Sequence, residues 1–444
     1  MRTIETLYDE LQTTLPPAQV THRMTNQQEQ QEAFLAGYID EPQHTYPFLL
    51  NTNLDHTTQR VEHIGQALLN ETEGTMGHAA YKETVVHSRH EIEWLKLCQQ
   101  VVRQRARGET RADFSAPAHV LTSQVHGTFN FQIFNHLMTS FWSDAHSLEL
   151  PHGEASAVNR RQVRDELNEM LGDIPAVTDA LPTATPEVLA LIQQKGAELF
   201  DGILDELPTS GPDLAPDDLH AIFSRCLPRI QLGENKETPV WTVAFDETRQ
   251  AIGPEAKTNR LLIPKNRRPQ PAEKLGRLVA HELWHTVRTM NGELSSEPIL
   301  KYGTTGYLPI EEASAVAFEA AAGGGHRLSG EIHYVGIGFL LRGMSFRQAH
   351  EALWRYRALS SEQPPTEQDI MSYQEGAYRV LRRATAGTDH YPMHSDLSYV
   401  NGTVKAVTTL QRAISEPQEF RLLVAGRADP TNPTDRTLLK SVVK

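Results

Sequence analysis

The sequence predicts a helix-rich α+β protein, and three observations carry that prediction. Apolar residues recur at helical spacing through the N-terminal part of the chain, for example Val61, Ile64 and Leu68, then Ile92, Leu95 and Val102. Two short β-prone runs, VWTVAF (Val240 to Phe245) and NRLLIP (Asn259 to Pro264), are bounded by turn residues and suit a small sheet. A long segment with helical flanks then carries His-Glu-Leu-Trp-His at 281 to 285. We therefore expect a mostly helical region over 1–172, a second region over 173–428 that holds the sheet and the histidine helix, and a polar tail over 429–444.

In order, Pro175, Pro182 and Pro186 among Ala and Thr mark the linker candidate. Pro271 supplies a first-turn proline, and Asn291-Gly292 accepts a left-handed stop, so the histidine helix is expected over about Ala272 to Met290. Its apolar residues Leu275, Leu278, Val279, Leu283, Val287 and Met290 cover a broad arc, which predicts burial. Pro309 starts the next helix, expected to run to about Ala322 and stop at Gly323, Gly324 and Gly325. Ser345 with Gln348 forms a capping box ahead of Ala349, Leu353 and Trp354. After Gly426 the chain reads as polar, with Pro430 and Pro433.

At 444 residues the chain exceeds one ordinary core, and 39% apolar with 22% charged residues is a soluble, globular composition. The longest apolar candidate, Tyr334 to Leu341, falls far short of the roughly 20 residues of a membrane helix. The start, MRTIETLYDELQ, has no signal-peptide apolar stretch, so a cytoplasmic setting is expected. Cys98 and Cys226 stand alone, which leaves neither a disulfide framework nor a cysteine metal cluster. A net charge of −14 argues against nucleic acid or an anionic membrane as partner, although Lys265, Arg267 and Arg268 form a local basic patch.

In a helix, positions i and i+4 share a face, so the imidazoles of His281 and His285 can bind one metal ion while Glu282 lies beside it as a general base. A catalytic zinc ordinarily takes three protein ligands and keeps a fourth position for water. With cysteines excluded, the third ligand should be a His or carboxylate, and Glu312 is chosen from the Glu311-Glu312 pair. Glu319, seven residues on, is either an acid that orients a ligand imidazole or a solvated surface group. Arg288 either faces the cleft or pairs with Glu319. His390 and His394 share the same spacing, but Pro392 between them argues for a loop. These features predict a zincin-like zinc hydrolase.

Several ordered segments resemble the QEGLA-motif family, also called flavohemoglobin expression-modulating proteins, whose animal relatives are microtubule-associated tyrosine carboxypeptidases. LVAHELWHTVRTMNG is similar to its metal helix, and GYLPIEEASAVAFE to its GYLxxQEGLAVYxE stretch. VGIGFLLRGMSFRQAHEAL, YRVLRRATAG, HSDLSYVNG, EPQHTYPFL and VVRQRARG also fit, patchily over residues 40 to 410. The resemblance implies a gluzincin-like zinc peptidase with His281, His285 and Glu312 on the metal and Glu282 as base. It departs in three places: HExxH stands where the family has HExxxH, Glu311 and Ala313-Ser314 replace the Gln and Gly-Leu of the motif, and Ser395 replaces a late lysine.

The expected activity is removal of a C-terminal residue from a peptide or protein, tyrosine by the resemblance, with zinc as cofactor. Arg379, Arg382 or Arg383 would then take the substrate carboxylate, and Tyr399, Tyr391 or Arg379 would stabilise the oxyanion. An acidic chain suits acidic tubulin tails poorly, so a different peptide is expected. The alternatives are a zinc endopeptidase or aminopeptidase, and a catalytically inactive helical interaction protein.

Overall fold

The structure, a computed structural model, describes residues 2–15, 24–108, 115–147, 162, 165–172, 184–230, 232, 240–249, 251–322, 330–359, 365–386 and 397–443. Its principal helices are α1 (Ile4–Thr14), α2 (Leu54–Thr72), α3 (His78–Ala106), α4 (Pro186–Phe200), α5 (Pro216–Cys226), α6 (Leu275–Glu293) and α7 (Leu308–Phe318). They continue as α8 (Glu331–Leu341), α9 (Phe346–Leu359), α10 (Glu367–Ala384), α11 (Leu397–Ser415), α12 (Pro417–Val424) and α13 (Pro433–Val442). Among the described residues there is one three-stranded sheet, of β1 (Thr242–Asp246), β2 (Gly253–Glu255) and β3 (Arg260–Pro264) in the order β1-β3-β2. β3 runs parallel to β1 and antiparallel to β2. A helix-rich α+β architecture with a small sheet is therefore present, and no described helix is long and apolar enough to cross a membrane.

β1 and β3 occupy the two β-prone runs. β2, Gly-Pro-Glu, carries no strand propensity; it is recruited by pairing to β3, and Pro254 is tolerated because β2 lies at the edge. The Ser345 box forms as expected, with Ser345 N–H donating to Gln348 Oε1 (2.9 Å) and Gln348 N–H to Ser345 Oγ (3.2 Å). α6 follows a short 3₁₀ turn, Ala272–Lys274, and runs through Asn291-Gly292 instead of stopping there. The small size of Gly292 serves close packing: a β-carbon there would sit 2.1 Å from the Leu300 carbonyl oxygen. α7 ends at Phe318, and a 3₁₀ turn, Glu319–Ala322, completes the expected helix. Gly323 to Gly325, the linker prolines Pro175 and Pro182, His390, Tyr391, His394 and Ser395 lie outside the described residues.

The division at 172/173 does not separate independent cores. Leu7, Tyr8, Ile64 and Tyr81 share one apolar cluster with Ile299, Leu300, Leu422, Leu438 and Leu439. Phe34, Phe134 and Leu167 share another with Tyr334, Phe339, Trp354 and Tyr378. The expected polar tail is likewise corrected: residues 433–442 form α13, which turns Leu438 and Leu439 inward. Its overall polarity hides that face, since one turn of leucines is enough to dock a short helix already capped by Asn432, whose side chain accepts from the Thr434 and Asp435 amides.

Asp435, at the start of α13, accepts hydrogen bonds from Thr304 Oγ1 (2.6 Å) and the Asp429 amide (2.8 Å). Burial nonetheless pushes its carboxyl up from 3.8 to about 6. A carboxyl raised in the folded state favours folding below its unfolded pKa, and that contribution is lost as pH rises through the folded value. Asp435→Asn should therefore flatten the fall in stability between about pH 4 and pH 7, a span of about 3 kcal/mol at most. Urea denaturation of both proteins across that range checks it.

The element that positions the site from below is α11, which crosses α7 where Gly402 meets Pro309. A β-carbon on Gly402 would lie 1.8 Å from the Pro309 carbonyl oxygen, a rigid backbone atom. Gly402→Ala should part the two helices and cost about 1–3 kcal/mol, read as a fall in Tm.

Candidate metal centre

α6 and α7 pack antiparallel, and their side chains pair in that register. Arg288 and His285 meet Glu311, Trp284 meets Ser314 and Phe318, and His281 meets Glu319. Trp284 fixes the alignment: its ring stacks on Phe318 with centroids 4.1 Å apart, and its Nε1–H donates to Ser314 Oγ at 2.8 Å. Both rings are fully buried, so this contact holds the histidine face of α6 against the glutamate face of α7.

The Nδ1 atoms of both histidines are taken up by carboxylates. His285 Nδ1 lies 3.0 Å from Glu311 Oε1, and His281 Nδ1 lies 3.2 Å from Glu319 Oε1. An ionised carboxylate only accepts, so each Nδ1 carries a proton, and in its neutral form each imidazole presents a lone pair at Nε2. The two Nε2 atoms face each other at 3.2 Å. Glu312 Oε2 lies 3.8 Å from His281 Nε2, and its Oε1 lies 3.9 Å from His285 Nε2. His281, His285 and Glu312 thus form a group that could hold a metal ion.

The donor set fits such an ion on three counts. Ligand atoms about 2.0–2.1 Å from a tetrahedral zinc lie roughly 3.3–3.5 Å apart, so the observed spacing needs only a small rotation of Glu312. The two Nε2 atoms facing each other at 3.2 Å need a proton or a metal ion between them, and a metal ion would take the place of that proton. Each ligand imidazole is also backed by a carboxylate, an arrangement that fixes ring orientation and raises donor strength.

Glu282, between the two histidines, is buried, and its Oε2 has no hydrogen-bond partner. Burial raises its pKa, partly offset by His281 and His285. Burial opposes the charged form of His281, but the Glu319 hydrogen bond and the charges of Glu282 and Glu312 outweigh it and raise the imidazole to about 9. The carboxylates around His281 therefore favour a cation at this point. Glu311 is driven the other way: burial would raise it, yet Arg288, His285 and Arg427 hold it down at about 2.

Of the residues singled out from sequence, the structure brings together His281, Glu282, His285, Glu312 and Glu319. Arg288 pairs with Glu311, not with Glu319 or an open cleft, and also donates to the Ala428 carbonyl at 2.6 Å. Arg379 is exposed on α10 and pairs with Glu375 at 3.5 Å. Arg382 lies against Met24 and Tyr378, so among the described residues neither arginine contacts the triad. Their charge and their place near Ser395 mark them as candidates, but α10 packs on α8 and α9. Tyr399, in the first turn of α11, has its Cβ against Gly330.

Four residues take roles that the sequence reading did not give them. Glu311, passed over there as third ligand in favour of Glu312, supports His285. Arg277 holds Glu319 through its Nε at 2.9 Å. Arg427 reaches Glu311 (3.7 Å) and donates to the Tyr307 hydroxyl (2.5 Å). Arg267, from the basic patch before α6, acts through its charge on Glu282. Comparison with protein-family models, with curated proteins and with solved structures finds no match to the chain.

Proposed function

We propose that the protein is a zinc-dependent peptidase with a zincin-like catalytic region, and that it removes C-terminal residues. The observation that carries this reading is the convergence of His281 Nε2, His285 Nε2 and the Glu312 carboxylate beside the buried, unpartnered Glu282 oxygen. The resemblance of HELWH and GYLPIEEASA to a peptidase family's motifs also supports it. Zinc, when bound, supplies a cation that polarises a carbonyl and acidifies a water.

Glu282 then has a defined task. Its carboxylate takes one proton from the attacking water as the water oxygen bonds to the carbonyl carbon. The carbon–nitrogen bond breaks, and Glu282 passes that proton to the leaving amine nitrogen. A carboxyl whose pKa burial has raised is suited to hold the proton between these events. Glu319 and Glu311 keep the two imidazoles in the required tautomer throughout. The reading includes a cytosolic setting, supported by two free, buried cysteines, and a peptide partner without nucleic acid, supported by the net charge of −14.

The test is mass spectrometry of a diverse peptide mixture, part of it blocked at the C-terminus, after incubation with zinc-loaded protein. Loss of single C-terminal residues from unblocked peptides alone is the expected result. Internal cuts would make the protein an endopeptidase, and N-terminal trimming an aminopeptidase. No cleavage with zinc bound would leave a metal-stabilised interaction protein.

A further inference from the structure

Residues 264–270, between β3 and α6, read Pro-Lys-Asn-Arg-Arg-Pro-Gln, with three cations and no acid in a chain whose net charge is −14. Such a run is ordinarily a solvated stretch that holds its charges out to water. Here the backbone is pinned at several points. Lys265 N–H donates to the Asp246 carbonyl (3.0 Å), Arg267 N–H to the Pro264 carbonyl (3.2 Å), and Leu214 and Gln270 exchange both backbone hydrogen bonds at 2.8 Å. Pro269 and Pro271 fix φ on either side of that bridge. The loop therefore has little backbone freedom left to lose when a ligand binds to its side chains.

Arg267 and Arg268, with Arg249, Asn266 and Gln270, line a cavity of about 490 Å³ whose lining holds no acidic residue. Its cations are not neutralised by the protein. Arg268 and Asn266 make no side-chain hydrogen bond or ion pair among the described residues. Arg267 donates through Nη2 to a neutral amide, Gln270 Oε1, at 3.3 Å, and its Nε is buried without a partner. Arg249 donates through Nη1 to the Gly253 carbonyl, also at 3.3 Å. The nearest acids in sequence are engaged elsewhere. Asp246 Oδ1 accepts from the Thr248 amide and hydroxyl and the Arg249 amide (2.7–2.9 Å), and Glu247 pairs with Lys265 (3.0 Å).

Guanidiniums gathered without a counter-charge repel one another, and an anion between them removes that repulsion. Their planar forks match the oxygens of a carboxylate or a phosphate. Charge decides between the two: a carboxylate brings one negative charge to three arginines, whereas a phosphate monoester brings about −1.5 to −2 at neutral pH and three strong acceptor oxygens. The volume is that of a small-ligand pocket, with room for an organic group beyond the phosphate. We propose that this cavity binds a phosphate monoester, carried by a small molecule or by a phosphorylated residue of a peptide. None of its lining residues belongs to the His281, His285 and Glu312 group, so the proposal does not depend on the peptidase reading.

The test is calorimetric titration of the full chain, at low salt and without other oxyanions, with inorganic phosphate, phenyl phosphate, and a phosphoserine peptide beside its unphosphorylated twin. Wild type is compared with Arg267→Gln/Arg268→Gln and with His281→Ala/His285→Ala. Wild type should bind phosphate and phenyl phosphate saturably at one site. The arginine variant should bind them roughly 10-fold or more weakly, and the histidine variant as wild type does, since the latter has lost only the metal group. Tighter binding of phenyl phosphate than of the phosphopeptide assigns the site to a small molecule. Tighter binding of the phosphopeptide, absent for its twin, assigns it to a phosphorylated peptide. Should the double arginine variant lose its circular dichroism melt, Arg268→Gln, at an exposed side chain, carries the same comparison. Three results overturn the proposal: no saturable binding by wild type, equal binding by wild type and the arginine variant, which means an adventitious ion only, and binding lost in the histidine variant alone.

Discussion

Replacing Glu282 by Gln is expected to lower peptide cleavage by roughly 10²- to 10⁴-fold while leaving zinc in place. The substitution keeps shape and removes only the ability to take and return a proton. Glu282 is buried and its Oε2 has no hydrogen-bond partner, so no structural bond is lost with the charge. His285→Ala should behave differently, losing both zinc and cleavage, because it deletes a ligand atom and leaves Glu311 without its imidazole partner. Cleavage assays paired with metal analysis of both variants separate the two roles. A Glu282→Gln protein that cuts as fast as wild type would remove Glu282 from the mechanism.

Arg288→Met should be the most destabilising single change near the site, at about 3–5 kcal/mol. Arg288 is fully buried and paired with a fully buried Glu311, so its removal strands a carboxylate that water cannot reach. Arg427 lies 3.7 Å from the same carboxylate and offsets part of the cost, which favours the lower end of that range. Arg288→Met combined with Glu311→Gln removes both charges and should recover much of the loss, as urea denaturation of the single and double variants would show. Glu311→Gln alone should weaken zinc binding about 10- to 100-fold, because the amide holds His285 Nδ1–H less strongly than a carboxylate does.

That His281, His285 and Glu312 come together was legible because the histidine spacing is local. An i,i+4 pair of histidines on one helix needs no tertiary information to share a face, and Glu312 follows on the next strong helix. The role of Glu311 was not legible in the same way. Adjacent residues on a helix point about 100° apart, so one of the pair faces the metal position and the other lies behind an imidazole. Only the antiparallel crossing of α6 and α7 shows which. The substrate arginines failed for a related reason, since charge marks Arg379 and Arg382 as cations without saying that α10 packs on α8 and α9. β2 has no propensity of its own, and α13 hides two buried leucines in a polar composition.

The central claim is that His281, His285 and Glu312 hold one metal ion, and elemental mass spectrometry of dialysed protein tests it most directly. The account predicts close to one zinc per chain in the wild type and none in a His281→Ala/His285→Ala double variant that keeps its helical circular dichroism. A wild-type protein that takes up no zinc from a zinc buffer, or a folded double variant that binds as much as wild type, would contradict it.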